Sequence, residues 1–163
     1  MENFPHSASY FLAESEASAR GFLTAVIAIA LSVYFIFVLK KPFWEGLGYT
    51  LLLVAFLIGP PSAYVFLRTD GQVAALSEQY QNDPQSVLNQ EAVRMSAVID
   101  RYRYIRIVQV VAINAGLLLL LFPSKQSLYK GIAVGLIWFA VSNFITEYYS
   151  EARAILYLQQ LHK

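Results

Sequence analysis

The stretch GFLTAVIAIALSVYFIFVL, residues 21–39, contains no charged residue, and a second uncharged stretch, GLGYTLLLVAFLIGPPSAYVFL, covers residues 46–67. Runs of about 20 apolar residues are long enough to cross the hydrocarbon layer of a bilayer as helices. The 163-residue chain is 57% hydrophobic and 14% charged, whereas a soluble domain carries about 25% charged residues. A soluble fold of this size cannot easily bury several such runs, so the sequence predicts an integral membrane protein.

Two shorter apolar runs, residues 107–122 and 131–146, complete the pattern. Each contains polar residues, such as Asn114 in the third run and Asn143 in the fourth. With four runs of helical length and no strand-like alternation, we expect an all-α fold. The prediction is an integral membrane four-helix up-down bundle that forms a single domain over residues 1–163. Its helices extend beyond the bilayer on the side of the termini.

The link between the second and third runs, about residues 68–106, is not a flexible linker. The sequence Asn82-Asp83-Pro84 is a turn signal, and proline suits the first turn of a helix. From Gln85 onward apolar residues recur at helical spacing, which predicts an amphipathic helix over about 85–106 that continues into the third run. The apolar residues that carry this pattern are Leu88, Ala92, Met95, Val98, Ile99, Tyr102 and Ile105.

Four spans place both termini and the long link on the same side of the membrane. That side carries eight of the twelve Lys and Arg residues, and the two short links carry the other four. Because basic residues near span ends stay in the cytoplasm, we expect both termini to be cytoplasmic. The location predicted for the whole chain is the bacterial inner membrane.

Several functional classes lack support in the sequence. The chain has no cysteine, and its two histidines, His6 and His162, lie at opposite ends, so we expect neither a metal site nor a cofactor. No nucleophile, phosphate-loop or zinc-protease motif occurs, and no catalytic residue or enzyme activity is predicted. The net charge of +1 gives no indication of nucleic-acid binding, which usually requires a basic patch.

The most informative residues are charges at the ends of the apolar runs. In an up-down bundle, alternate ends of the four runs meet at one membrane surface. These ends are the start of the first run, the end of the second, the start of the third and the end of the fourth. Helical spacing turns these charges inward, toward one another, and an inward unpaired charge near a membrane is costly. The predicted inward charge belt comprises Glu16, Arg20, Arg68, Arg103, Arg106, Asn143, Glu147 and Glu151.

Three interpretations of the charge belt stay open. In the first, Arg106, Arg68 or Arg20 pairs with a belt glutamate, and the ion pairs fix helix register. In the second, an excess of arginine over carboxylate binds an anionic head group or a phosphate. In the third, Glu147 or Glu151 is a proton or cation site.

Small and helix-breaking residues suggest where the helices pack and bend. Asn114 with Gly116, and Gly131 with Gly135, supply small or polar residues for close helix contact. The paired prolines Pro60 and Pro61 remove backbone donors, so a kink or break is expected there, either as a gating hinge or as a bend that fits the bundle.

By length and span count the chain resembles small four-span membrane proteins of bacteria, including immunity proteins against pore-forming toxins, although no motif ties it to them. We therefore expect a non-enzymatic protein that acts through helix–helix contacts, as an accessory, assembly or immunity-type factor. Its expected partners are membrane lipids and either a membrane protein or a second copy of the chain. The alternative is a small oligomeric channel or transporter, or an anionic-lipid-binding protein, that uses the charge belt.

Overall fold

The computed structural model describes residues 7–121 and 127–161, which are 98% helical and contain no strand. Each helix is long and apolar enough to cross a membrane, so the predicted all-α architecture is confirmed. His6, His162 and residue 122 of the third run lie outside the described residues. The helices are α1, Ser7–Val33; α2, Pro42–Asn82; α3, Pro84–Leu121; and α4, Ser127–Leu161, with a π-helical turn over Tyr34–Leu39 after α1.

The four helices are not equivalent neighbours. Helix α1 packs along α2, α2 along α4, and α4 along α3, whereas α1 makes little contact with α4 and α2 makes little contact with α3. Small residues hold α1 and α2 together: Ala25 lies against Gly59, and the buried Ser32 hydroxyl donates to the Gly48 carbonyl at 2.8 Å. Because α4 does not close tightly on α1, a cleft remains between them.

Glycines bring α2 and α4 into backbone contact at the end of the bundle opposite the α2–α3 turn. A Cβ on Gly131 would overlap the Phe43 carbonyl oxygen, and one on Gly46 would overlap the Leu128 carbonyl oxygen. A Cβ on Gly135 would come within 2.8 Å of the Thr50 side chain. The glycine pattern of α4 therefore serves packing within the chain.

The two residues of the packing segment predicted in the third run, Asn114 and Gly116, have different roles. A Cβ on Gly116 would lie 2.6 Å from the Ile137 side chain, so this glycine packs α3 against α4. Asn114 is exposed, and its side-chain amide donates to the Val110 carbonyl of its own helix at 2.8 Å. Asn114 thus takes no part in the α3–α4 contact.

Helix α2 runs through Pro60 and Pro61 without a break. Of the two expected outcomes, a kink or a break, the break does not occur, and the kink stays a prediction. Packing against α1 on both sides of the prolines explains the continuity, because Gly59 lies against Ala25 and Ser62 lies against Gly21. Tertiary contacts of this kind offset the loss of helical hydrogen bonds at proline.

The largest core cluster lies at the end of the bundle that contains the α2–α3 turn, beyond the apolar runs. The Tyr10 ring stacks on the Tyr157 ring with centroids 4.4 Å apart, and Phe11 meets Tyr157 edge-on. Helix α2 contributes Val73, Leu76 and Tyr80 from its last turns, which sequence reasoning left unassigned. The buried residues of this hairpin-end core are Phe11, Val87, Met95, Ala154, Tyr157 and Leu161.

Lys40 carries a left-handed backbone, with φ of 47°, where the π-helical turn ends. We expect Lys40→Gly to raise stability by about 1 kcal/mol, because glycine adopts this conformation without steric cost. Lys41 is the matched control: it loses the same charge but has an extended backbone with φ of −111°, so Lys41→Gly should lower stability slightly. Thermal unfolding in detergent measures both; equal midpoints for the two variants would contradict the prediction.

Candidate functional site

A cavity of about 830 Å³ lies between α1, α2 and α4, next to the ends of their apolar runs. We call it the boundary cavity. Its apolar lining includes Leu57 and Ile58 of α2 and Ile145 of α4. Its charged and polar lining includes Glu14, Arg20, Tyr102, Asn143, Glu147 and Arg153. A cavity with both kinds of lining can hold a molecule that has a polar part and an apolar part.

The stack of Tyr10 on Tyr157 fixes the relative height of α1 and α4, which run antiparallel. From this stack toward the apolar runs, Glu14 comes four residues after Tyr10 on α1, and Arg153 comes four residues before Tyr157 on α4. Because both helices rise about 1.5 Å per residue, the two residues are at the same height. Six residues beyond that, Arg20 of α1 stands level with Glu147 of α4. The cavity therefore has two charged levels about 9 Å apart, and the level with Arg20 is nearer the apolar runs.

The four charges of the boundary cavity do not pair with one another. Glu147 accepts a hydrogen bond from the Gln109 side-chain amide at 2.8 Å, and Arg153 donates to the Ser150 hydroxyl at 3.1 Å. Within residues 7–121 and 127–161, neither Glu14, Arg20, Glu147 nor Arg153 forms an ion pair. Glu14, Glu147 and Arg153 are partly buried, whereas Arg20 is exposed. Burial of a charge without an ion-pair partner costs free energy unless another group compensates it.

Tyr102 of α3 lies where several of these charges come together. The pKa of its hydroxyl is raised to about 12, first by burial and then by the Glu14 and Glu147 carboxylates, while Arg153 lowers it. Burial also raises the pKa of Glu14, against the opposing effects of Arg94, Arg68 and a hydrogen bond from the Tyr10 hydroxyl. Glu14, Glu147 and Arg153 therefore all lie near enough to Tyr102 to affect the pKa of its hydroxyl.

The structure divides the predicted charge belt into three sets. Arg20, Asn143 and Glu147 line the boundary cavity. Arg106 and Glu151 form an ion pair between α3 and α4, which is one of the pairings expected from the sequence. The remaining members, Glu16, Arg68 and Arg103, are exposed, and the Arg68 guanidinium lies 5.0 Å from the centre of the Tyr64 ring.

Sequence reasoning missed Glu14 and Arg153 as members of the cavity. The signal was present at helical spacing, since Tyr10, Glu14, Ala17 and Gly21 follow one face of α1. The lining also differs from the expected excess of arginine, because it contains two arginines and two glutamates. The boundary cavity is therefore balanced in charge.

The second missed group is an ion pair inside the hairpin-end core. Glu91 is 2% exposed and accepts two hydrogen bonds from Arg94, at 2.7 and 2.8 Å. The Tyr157 hydroxyl donates to the same carboxylate at 3.3 Å, and the Arg94 guanidinium lies over the Phe11 ring. This cluster ties α1, α3 and α4 together, so its role is structural.

Comparison with protein-family models, curated protein sequences and solved structures found no match for this chain. In the described part of the chain no group of three or more His, Asp or Glu side chains is arranged to hold a metal ion. The chemistry of the site is that of a charge-balanced cavity beside apolar helix surfaces.

Proposed function

We propose that this protein is a four-span, non-enzymatic membrane protein that binds an amphiphile in the boundary cavity. In this proposal the apolar runs cross a bacterial inner membrane, and both termini and the α2–α3 turn lie in the cytoplasm. The boundary cavity then lies at the depth where lipid head groups meet the hydrocarbon. Helix ends extend beyond that depth as the hairpin-end core.

The observation that supports this proposal is that the boundary cavity has both an apolar and a charged lining. Leu57, Ile58 and Ile145 line it beside four charged side chains, and the weak contact between α1 and α4 leaves it open to the side. Ligand cavities of about 300–1,000 Å³ are typical for small molecules, so 830 Å³ accommodates a head group with part of its chains. A water-soluble ligand would not require the apolar half.

Filling the cavity tests the proposal. Ser18 lines it on α1, and Ser18→Trp should reduce the lipid that remains bound after detergent purification about tenfold, because the indole occupies the ligand's volume. Native mass spectrometry measures the bound lipid. Ser96→Trp, at an exposed position of α3 outside the cavity, is the matched control and should leave lipid retention unchanged. Equal retention in both variants, or none in the wild type, would contradict the proposal.

A second candidate is a protein that works through helix–helix contact, as an accessory or immunity-type factor. Asn114 favours it, because this exposed amide lies within an apolar run and polar side chains there often bond to a neighbouring helix. The same mass spectra distinguish the two. A second protein mass that is lost in Asn114→Leu, with no bound lipid, would favour the contact protein.

A further inference from the structure

We propose that the boundary cavity selects a zwitterionic phospholipid with a primary ammonium group, as in phosphatidylethanolamine. This inference rests on the proposed function and adds the chemical class of the head group. It starts from the charge balance of the cavity, which has two arginines and two glutamates that form no ion pairs within the described residues. A ligand that carries both signs of charge can pair with an arginine and a glutamate of the cavity and keeps the charge balanced.

The vertical order of the charges gives the ligand a direction. On α1, Arg20 lies near the apolar run and Glu14 lies six residues, or about 9 Å, further from it. In a phospholipid the phosphate is attached next to the chains and the ammonium lies beyond it. The order of Arg20 and Glu14 therefore matches the order of phosphate and ammonium.

The side chains suit these two groups chemically. A guanidinium can bind a phosphate through two parallel hydrogen bonds, and the Arg20 side chain makes no ion pair with another described residue. A primary ammonium has three donors for a carboxylate such as Glu14. On α4, Glu147 and Arg153 already have hydrogen-bond partners in Gln109 and Ser150. These two charges therefore contribute to the electrostatic potential around the ligand and do not bind it directly.

Other head groups satisfy the cavity less well. Phosphatidylglycerol offers a phosphate but no cation, so it gives the partly buried Glu14 carboxylate no cationic partner from the ligand and adds a negative charge to the cavity. Phosphatidylcholine carries a cation without N–H donors, so it cannot donate hydrogen bonds to Glu14. A hydrogen bond to a charged group changes affinity by about tenfold or more. We therefore expect at least that preference for phosphatidylethanolamine.

The experiment uses the full chain in detergent with an equimolar mixture of phosphatidylethanolamine, phosphatidylglycerol and phosphatidylcholine that have identical acyl chains. Native mass spectrometry reads which lipid is retained. We expect phosphatidylethanolamine to exceed each of the others by about tenfold. Glu14→Gln should reduce this preference to about threefold or less and keep lipid bound, whereas Glu14→Asp should retain the preference.

Matched controls separate a local effect from a loss of charge. Glu16→Gln removes the same charge from an exposed position of α1 and should leave the preference unchanged. Arg20→Gln should weaken retention of all three phospholipids, whereas Arg103→Gln, at an exposed position of α3, should not. Thermal midpoints near that of the wild type show that each variant folds.

The possible results are distinct. Lipid retention without head-group preference, or with a preference for phosphatidylglycerol, would overturn the inference and leave the proposed function standing. Absence of any retained lipid would overturn both. Calorimetric titration with soluble phosphoethanolamine separates the two sources of this chemistry: no binding supports a lipid, and micromolar binding would replace the lipid with a soluble ligand.

Discussion

Gly131→Ala is expected to lower the stability of the folded protein by about 3 kcal/mol, the upper end of the cost of overpacking a core. The added methyl group would overlap the Phe43 carbonyl oxygen and lie 2.9 Å from the Leu47 backbone nitrogen. Both neighbours are backbone atoms of α2, so no side-chain rotation can relieve the clash. The two helices must move apart, and they lose their closest contact.

Thermal unfolding in detergent should show Gly131→Ala melting about 6–12 °C below the wild type. Gly71→Ala is the matched control, because Gly71 also lies inside α2 and has no atom within 4 Å of an added Cβ. Alanine favours the helix over glycine by about 1 kcal/mol, so Gly71→Ala should melt at or slightly above the wild-type temperature. A Gly131→Ala protein as stable as Gly71→Ala would show that α2 and α4 are not packed this closely.

Glu91→Ala is expected to cost about 3 kcal/mol, the lower end of the range for a broken buried ion pair. The substitution leaves Arg94, whose side chain is 29% exposed, without its two hydrogen bonds inside the hairpin-end core. It also removes the acceptor of the Tyr157 hydroxyl. Because Arg94 is partly exposed, water compensates some of its charge. The expected cost is therefore at the lower end of the range for a broken buried ion pair.

The control for Glu91→Ala is Glu78→Ala, an exposed glutamate of α2 whose loss should change stability by less than about 0.5 kcal/mol. The double variant Glu91→Ala with Arg94→Leu should recover part of the loss, because it removes the uncompensated charge as well. Thermal or denaturant unfolding measures all three. If Glu91→Ala and Glu78→Ala have the same unfolding midpoint, the cluster around Glu91 does not stabilise the bundle.

The helices were largely predictable from the sequence because long uncharged runs leave little choice of structure. The extension of α2 to Asn82 was missed, although Thr69, Val73, Leu76 and Tyr80 stand at helical spacing. That pattern is short and lies among polar residues, so only its packing against α3 and α4 identifies it. The continuity through Pro60 and Pro61 likewise depends on α1, a neighbour that local sequence does not show.

The site was only partly predictable for a similar reason. The number of helices alone predicted that Arg20 and Glu147 lie at the same end of the apolar runs, and both residues line the boundary cavity. Which charges share a cavity depends on helix order, and the order α1, α2, α4, α3 is not encoded in any local pattern. Arg68 and Arg103 belong to the same predicted end of the helices but do not line the cavity, whereas Glu14 and Arg153 line it from further along their helices.

The helix order also has a consequence for how the chain assembles during synthesis. Helices α1 and α2 can pair as soon as both have left the ribosome, because they contact each other directly. Helix α3 has little contact with α2 and gains its main partner only when α4 is made. The α3 segment therefore lacks its main partner until α4 is translated, and α4 then joins both halves of the described bundle in a single late step.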